Sequence, residues 1–237
     1  MYTQRKHSRY KGLAFKKMTR VLSGLVFICL GCALAPAQQS NVAHIRFIFE
    51  NPKLQPSSYV IDMNEDSSGH FRSEPGSAAA EDPEGITPQA VNTDITIVDP
   101  LRSLLFKTAR SHNFFNVACE STRSKVAFTG KKALQYTGPD GKGSCSFNWS
   151  RDQQLMNIAD DLIAVAFTLE EGRRLTLEHQ HNRLSLDAEL EELQDAVKSG
   201  RAQQIQNIAP QLEAIAGDEN VLERARLRAR QLLATAK

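Results

Sequence analysis

The sequence predicts an α+β protein in which a strand-rich half is followed by a helical half. Three observations lead to this prediction: a change of composition near Ser150, alternating apolar residues before it, and helical apolar spacing after it. Eight of the nine prolines precede Ser150, and the later residues are rich in Ala, Leu, Glu, Gln and Arg. We therefore expect an antiparallel β-rich module with one helix over residues 38–150, and an α-helical module of about four helices over residues 151–237.

The first 37 residues have the pattern of a secretory signal peptide. Residues 1–20 carry seven basic and no acidic side chains, an apolar run follows, and Ala35-Pro36-Ala37 closes the segment. Basic flank, apolar core and small-residue end are the parts of a signal peptide. The apolar run of about 14 residues is shorter than the roughly 20 that a membrane-spanning helix needs. Cleavage is expected between Ala37 and Gln38.

Two features of this segment leave alternatives open. Cys29-Leu30-Gly31-Cys32 resembles a lipoprotein processing box that would lipidate Cys32, although Cys29 stands where an aliphatic residue is usual. Either Met1 or Met18 can be the initiator, because a compact signal also begins at Met18. The predicted location is periplasmic or secreted, with a lipid anchor through Cys32 as the alternative. No later segment approaches spanning length, so the remaining chain is not expected to cross a membrane.

The net charge changes sign if this segment is removed. The whole chain has 29 Lys and Arg against 27 Asp and Glu, whereas residues 38–237 keep 22 basic against 27 acidic residues, a formal charge of −5. A mildly acidic exported domain lacks the basic surface that binds phosphate backbones, so nucleic-acid binding is excluded as a function class.

The two cysteines beyond the segment, Cys119 and Cys145, predict a disulfide. An even number of cysteines in an oxidising compartment favours a bond, which here would close a loop of about 26 residues. A pair of buried free thiols is the alternative. A metal pair is disfavoured because neither cysteine belongs to a C-x-x-C motif.

Alternation along residues 42–50 predicts the first strand, with Ala43, Ile45, Phe47 and Phe49 on its buried side. Further strands are predicted at Ser58–Met63, His70–Arg72, Thr93–Val98, Lys125–Thr129, Ala133–Thr137 and Ser144–Trp149, with a turn at Asn64–Gly69 and a flexible loop at Ser73–Gln89.

One helix is predicted within the strand-rich half. Asp99 is its expected N-cap and Pro100 its first residue, with Leu101, Leu104 and Leu105 as the apolar stripe. We expect a sheet of about six strands with this helix packed on it.

Apolar residues at three- and four-residue steps predict the helices of the second half. Gly172 is a candidate break in the first of them, Gly200 and Gly217 are expected to end two others, and Pro210 should kink the third or form its first turn. The stripes are Leu155, Ala159, Leu162, Ala166 and Leu169; Leu186, Leu190, Leu193 and Val197; Ile205, Ile208, Leu212 and Ile215; and Val221 or Leu222, Ala225, Ala229, Leu232 and Leu233.

Motif searches predict no catalytic, cofactor or metal site. His179 and His181 would share one face of a strand, but on the predicted helix they point about 200° apart. The segment 62–66 resembles a calcium loop, yet Ser67 and Ser73 stand where glycine and a bidentate glutamate are needed. Neither G-x-S-x-G nor S-x-x-K occurs in residues 38–237.

A hydrolase with a dispersed active site between the two modules is the second functional hypothesis. It requires one of the strand-half histidines, His44, His70 or His112, to lie near a serine or aspartate in a pocket. The first hypothesis is an exported envelope protein with a binding or scaffolding role, which would show an exposed apolar patch on the helical half.

Arginines crowd the last predicted helix. Arg224, Arg226, Arg228 and Arg230 are the candidate partner-contact face, which would meet an acidic protein or an anionic membrane surface. The alternative is a solvated face whose cations suit a helix C-terminus.

Overall fold

The computed structural model of the protein describes residues 42–76, 89–122 and 126–236. It confirms the predicted α+β class: a six-stranded sheet with one helix, followed by four further helices. The strands are β1 His44–Glu50, β2 Ser58–Asn64, β3 Ser68–Glu74, β4 Asn92–Thr96, β5 Lys131–Gly138 and β6 Gly141–Phe147. The α-helices are α1 Leu101–Ser111, α2 Gln153–His181, α3 Leu186–Lys198, α4 Ala209–Gly217 and α5 Glu223–Thr235, with 3-10 turns at Asn113–Phe115 and Ile205–Ile208. The predicted signal segment, its Ala37–Gln38 cleavage site and Cys32 lie outside the described residues.

All neighbouring strands pair antiparallel, in the order β4-β3-β2-β1-β5-β6. Phe47 of β1 stands opposite Ile61 on one side and Leu134 on the other. These three side chains are fully buried, whereas Arg46 and Ile48 on the opposite face of β1 are half-buried. The alternation predicted for the first strand is confirmed, because side chains of a strand point alternately to its two faces.

One face of the sheet, the inner face, packs against α1 and the first half of α2. Leu105 and Phe106 of α1 and Leu155 and Leu162 of α2 belong to the same buried cluster as the inner-face strand residues. Burial of apolar surface of this extent is the main force that holds the helices on the sheet. The other face of the sheet is called the outer face below.

A second buried cluster joins the remaining helices. It contains Leu190 and Leu193 of α3, Leu212 of α4 and Ala225 of α5, each without solvent exposure. Gly172 does not break α2, which runs continuously past it. The predicted break is wrong because the glycine serves close packing: a Cβ at this position would lie 2.4 Å from Ile208 Cγ2.

Two local predictions in the strand-rich half need correction. Helix α1 begins at Leu101 with Pro100 as its N-cap, and Asp99 instead accepts hydrogen bonds from Ser103 N (3.1 Å) and Ser103 Oγ (2.6 Å). Residues 126–130 are not a strand. Asn148 Oδ1 accepts a hydrogen bond from Thr129 N at 2.8 Å. This segment is therefore held by a side chain and not by backbone hydrogen bonds to a neighbouring strand.

Candidate functional site

The outer face of the sheet carries a row of charged side chains across four strands. Asp94, His70, Asp62 and Arg46 stand side by side on β4, β3, β2 and β1, because the register places them directly opposite one another. Cross-strand neighbours on one face are close enough to form ion pairs. The row therefore fixes alternating charges on an open surface.

Asp62 is the centre of this row. Arg46 donates from Nε to Oδ1 at 2.7 Å and from Nη2 to Oδ2 at 3.0 Å, and His44 Nε2 lies 3.1 Å from Oδ1. Arg72 lies farther away, with 3.7 Å between Nη2 and Oδ2. Burial opposes ionisation of Asp62, but the Arg46 hydrogen bonds and the surrounding cations hold its pKa below the usual range. Both carboxylate oxygens of Asp62 are thus occupied by side chains of the same sheet face.

His70 is fixed at the β4 side of the outer face. Its Nδ1 lies 2.7 Å from Asp94 Oδ1 and its Nε2 lies 2.6 Å from Asn92 Oδ1. The contacts with Asp94 and Asn92 raise the pKa of His70. Both ring nitrogens face oxygen atoms, so this histidine holds β3 and β4 together.

His112 is the third histidine that the hydrolase hypothesis requires. Its Nε2 lies 2.9 Å from Asp152 Oδ2, and its Nδ1 lies 3.0 Å from Ser111 Oγ and 2.9 Å from Thr108 O. Ser111 Oγ donates to the same Thr108 carbonyl. The proton of the Ser111 hydroxyl is therefore directed to Thr108 and not to the ring nitrogen. His112 ties α1 to α2 through its contact with Asp152.

Strand β4 is one edge of the sheet, and the described residues cover only part of that edge. The bonded pairs with β3 alternate, so the N–H and C=O groups of Asn92, Asp94 and Thr96 point away from β3. Asn207 satisfies Thr96: its Oδ1 accepts from Thr96 N at 2.7 Å and its Nδ2 donates to Thr96 O at 3.0 Å. Gln204 Oε1 accepts from Val98 N at 2.8 Å in the same manner. Amide side chains thus imitate a neighbouring strand here.

The earlier part of β4 lies beside a groove of about 480 Å³. The groove lies between residues 89–93 and the helices α2 and α4, and its lining mixes aliphatic with polar side chains. The lining residues used below include Val91, Leu169, Arg173, Leu177 and Ile208. The edge of β4 and this groove adjoin one another, so backbone groups and side-chain space are available side by side.

The predicted disulfide is confirmed. Cys119 and Cys145 are bonded, with 5.8 Å between their Cα atoms. The bond fastens the segment after α1 to β6, an edge strand. Disulfides persist in oxidising compartments, so the bond is compatible with a periplasmic or extracellular location.

The four arginines of the candidate partner-contact face all contact acidic residues of their own chain. Arg224 and Arg228 bind Asp187 of α3, and Arg226 and Arg230 bind Glu223. Arg224 and Arg230 are exposed, whereas Arg226 and Arg228 are half-buried.

His179 and His181 lie on α2, as predicted, and point to different surroundings. His179 Nε2 lies 2.8 Å from Asp218 Oδ2, and His181 lines the groove beside β4. Within the described ranges, no group of three His, Cys, Asp or Glu side chains is arranged to hold a metal ion. None of the described helices is long and apolar enough to cross a membrane.

No known protein family and no curated protein matches this sequence. The site is therefore defined by its geometry alone. The edge of β4 and the groove were not predicted from the sequence. The amides Gln204, Gln206 and Asn207, which bind Thr96 and Val98 at this edge, were the only sequence signal, since they had no role in the predicted helix stripes.

Proposed function

We propose that this chain is an exported envelope protein with a binding or scaffolding role. The observation that carries the proposal is the division of the sheet: its inner face is buried under α1 and α2, while no described element covers its outer face or the first part of the β4 edge. A sheet with one uncovered face and unpaired edge groups offers a ready surface for another molecule.

Export is supported by two independent features. The basic flank, apolar run and Ala35-Pro36-Ala37 have the order of a signal peptide. The Cys119–Cys145 bond suits an oxidising compartment. Mass spectrometry of the native protein should find Gln38 as the first residue. A lipidated Cys32 at the N-terminus would support the anchored alternative, and an intact segment 1–37 would contradict both.

The envelope hydrolase is the second candidate, and one observation favours it: His112 has both Asp152 and Ser111 within hydrogen-bond distance. A nucleophilic serine needs a base with a free ring nitrogen beside it. In the structure the Ser111 hydroxyl instead donates to the Thr108 carbonyl, which also lies 2.9 Å from Nδ1. The same Asp152 also caps α2, a structural task that explains its position without chemistry. Binding is therefore the better-supported role.

Site-specific photo-crosslinking in the native envelope tests the binding role. A photoreactive residue in place of Thr137 or Gln135 would report on the outer face, and one at Glu213, an exposed position on α4, is the matched control. We expect a discrete adduct from the outer-face positions and none from Glu213. Absence of any adduct from both outer-face positions would contradict the proposal.

The arginines of α5 are proposed as a second contact surface for an acidic protein. Arg224 is the most accessible of them, with 71 % of its side chain exposed. Arg224→Gln should weaken capture of an acidic partner, and because it also removes the 2.6 Å contact with the buried Asp187 carboxylate it should lower the thermal stability slightly. Lys198→Gln on α3 is the control. Sedimentation with phosphatidylglycerol vesicles distinguishes the membrane alternative: binding that Arg224→Gln reduces would assign this surface to anionic lipid instead.

A further inference from the structure

We propose that the open edge of β4 and the adjoining groove bind an extended polypeptide segment that carries aliphatic side chains and a carboxylate. The inference rests on the proposed binding role and names the site and the chemical class of the partner. The mode is addition of a strand to the sheet, in which main-chain hydrogen bonds supply affinity and alternate side chains supply specificity.

The backbone of β4 presents the required hydrogen-bonding groups. Asn92 N–H and C=O and Asp94 N–H point away from β3 and have no partner among the residues that the structure describes. The Asp94 carbonyl accepts only a 3.3 Å contact from Thr93 Oγ1. Outward groups two residues apart repeat about every 6.8 Å, which is the repeat of an incoming strand. Two such positions accommodate a short extended segment.

The chain itself shows that this edge accepts a strand-like neighbour. Asn207 meets both the N–H and the C=O of Thr96, and Gln204 meets those of Val98, at donor–acceptor distances from 2.7 to 3.4 Å. These amide groups occupy the place of a seventh strand at the end of β4. The amides bind Thr96 but none of the residues before it in β4. The outward backbone groups of Asn92 and Asp94 lie along the same edge and are not covered by these amides.

The groove gives the side chains of an added strand a place to pack. Leu169 and Leu177 of α2 and Ile208 lie on its helix side, and Val91 lies on its strand side. Every second side chain of a strand on this edge points toward the helices, because side chains alternate along a strand. Aliphatic residues at alternate positions would therefore enter this lining.

The polar groups of the groove indicate a carboxylate on the partner. Its charged lining residues, Arg173 and His181, are cationic or neutral, and none of the described lining residues is acidic. Glu170 accepts from the Nε of Arg173 at 2.9 Å, and no described residue is hydrogen-bonded to the two Nη groups. A carboxylate on the partner would bind these guanidinium N–H groups.

Peptide selection on the intact protein tests the proposal. The probes are random heptapeptides selected by display, then synthesised with acetyl and amide ends and labelled with fluorescein. We expect the selected peptides to alternate aliphatic residues and to contain Asp or Glu. Methylation of alternate backbone nitrogens should weaken binding about tenfold or more, because each lost hydrogen bond in a desolvated strand pair costs about 1–1.5 kcal/mol. Unchanged affinity after methylation would overturn the proposal.

Matched variants of the two edge strands locate the binding. Asn92→Pro removes an outward N–H from β4 and also the contact between Asn92 Oδ1 and His70, so Asn92→Ala, which removes only that contact, is measured beside it. Ser144→Pro removes the corresponding outward N–H from β6, the opposite edge. Edge strands tolerate proline where the N–H faces solvent. Asn92→Pro should weaken binding about tenfold while Ser144→Pro leaves it unchanged. Equal losses in both variants would contradict the assignment to β4.

A variant that leaves the strand intact provides the second test. Thr176→Trp fills the groove from α2 and should abolish peptide binding with unchanged circular dichroism. Sedimentation velocity addresses a second copy of the chain as occupant: a dimer that Asn92→Pro dissociates would overturn the peptide assignment. Crosslinks from the outer face together with unchanged binding of methylated peptides would leave the binding role standing and reject only this groove.

Discussion

His112 at the end of α1 contacts Asp152 at the start of α2, with 2.9 Å between His112 Nε2 and Asp152 Oδ2. The other carboxylate oxygen of Asp152 accepts from Gln154 N at 2.9 Å and from Leu155 N at 3.3 Å. One side chain therefore caps the longest helix and joins it to the only helix of the strand-rich half in the described chain. The contact fixes the place where the strand-rich half passes into the helical half.

Substitution of Asp152 separates its two tasks. Asp152→Ala should lower the free energy of unfolding by about 1–2 kcal/mol through loss of the cap. Asp152→Asn should cost less, because asparagine caps as well as aspartate and only the carboxylate contact with His112 is lost. Urea denaturation of both variants at pH 7 measures the difference. Equal destabilisation by Asn and Ala would show that the cap contributes nothing.

The contribution of Asp152 to the stability of the protein should decrease at low pH. Burial opposes ionisation of Asp152, yet the Leu155 N–H and His112 hold its pKa below the usual range. A carboxyl whose folded pKa is lowered stabilises the fold above its unfolded pKa, near 3.9, and the contribution is lost as the pH falls through the folded pKa. The stability difference between wild type and Asp152→Asn should therefore shrink between about pH 5 and pH 2.

Glu171 should respond to pH in the opposite direction. Burial raises its pKa to about 7, although Arg174 partly offsets this effect; Glu189 and Glu192 of α3 raise it further. A carboxyl whose folded pKa is raised disfavours the folded state above that pKa, and the penalty disappears as the pH falls toward its unfolded pKa. Glu171→Gln should therefore stabilise the protein by about 1–3 kcal/mol at pH 8 and by much less at pH 5. Thermal unfolding at both pH values, with the exposed Glu213→Gln as control, measures the effect.

Loss of the disulfide should destabilise the protein by about 2–4 kcal/mol. The bond joins cysteines 26 residues apart and so lowers the conformational entropy of the unfolded chain. The double variant with serine at Cys119 and Cys145 tests this, because it leaves no free thiol. Peptide mapping of the native protein without reductant should recover the linked pair. Two freely alkylated thiols in the native protein would contradict the bond.

Leu193 and the α5 arginines should differ in their effects on folding. Leu193 is fully buried, so Leu193→Ala should cost about 2–5 kcal/mol. Arg230→Gln, on an exposed ion pair, should change stability by about 0.5 kcal/mol or less. Arg228→Gln should fall between them at about 1–3 kcal/mol, because it removes the 3.0 Å hydrogen bond to the buried Asp187 carboxylate. A silent Leu193→Ala would show that the helical core is assigned wrongly.

Sequence patterns located the elements whose stability is local. The first strand followed from the alternation of Ile45, Phe47 and Phe49, and α3 from leucines at helical spacing. The sequence also indicated the disulfide, because only two cysteines follow the predicted signal segment. Boundaries were less accurate: β6 begins at Gly141 and not at Ser144, since a tight turn lets the ladder with β5 start at once.

By itself, the sequence determined the α+β class, the strand-rich half before the helical half, and the buried side of the first strand. These features depend on residue spacing and composition, which act over a few neighbouring residues. Only the tertiary structure decided that Gly172 is a packing contact, that Asp152 joins two helices, and that Asn207 covers Thr96 from 111 residues away. Such contacts depend on which surfaces the fold brings together. A local sequence pattern does not specify which distant residues will be in contact. The open part of the β4 edge follows from the same cause, because it is where the distant amides of residues 204–207 do not reach.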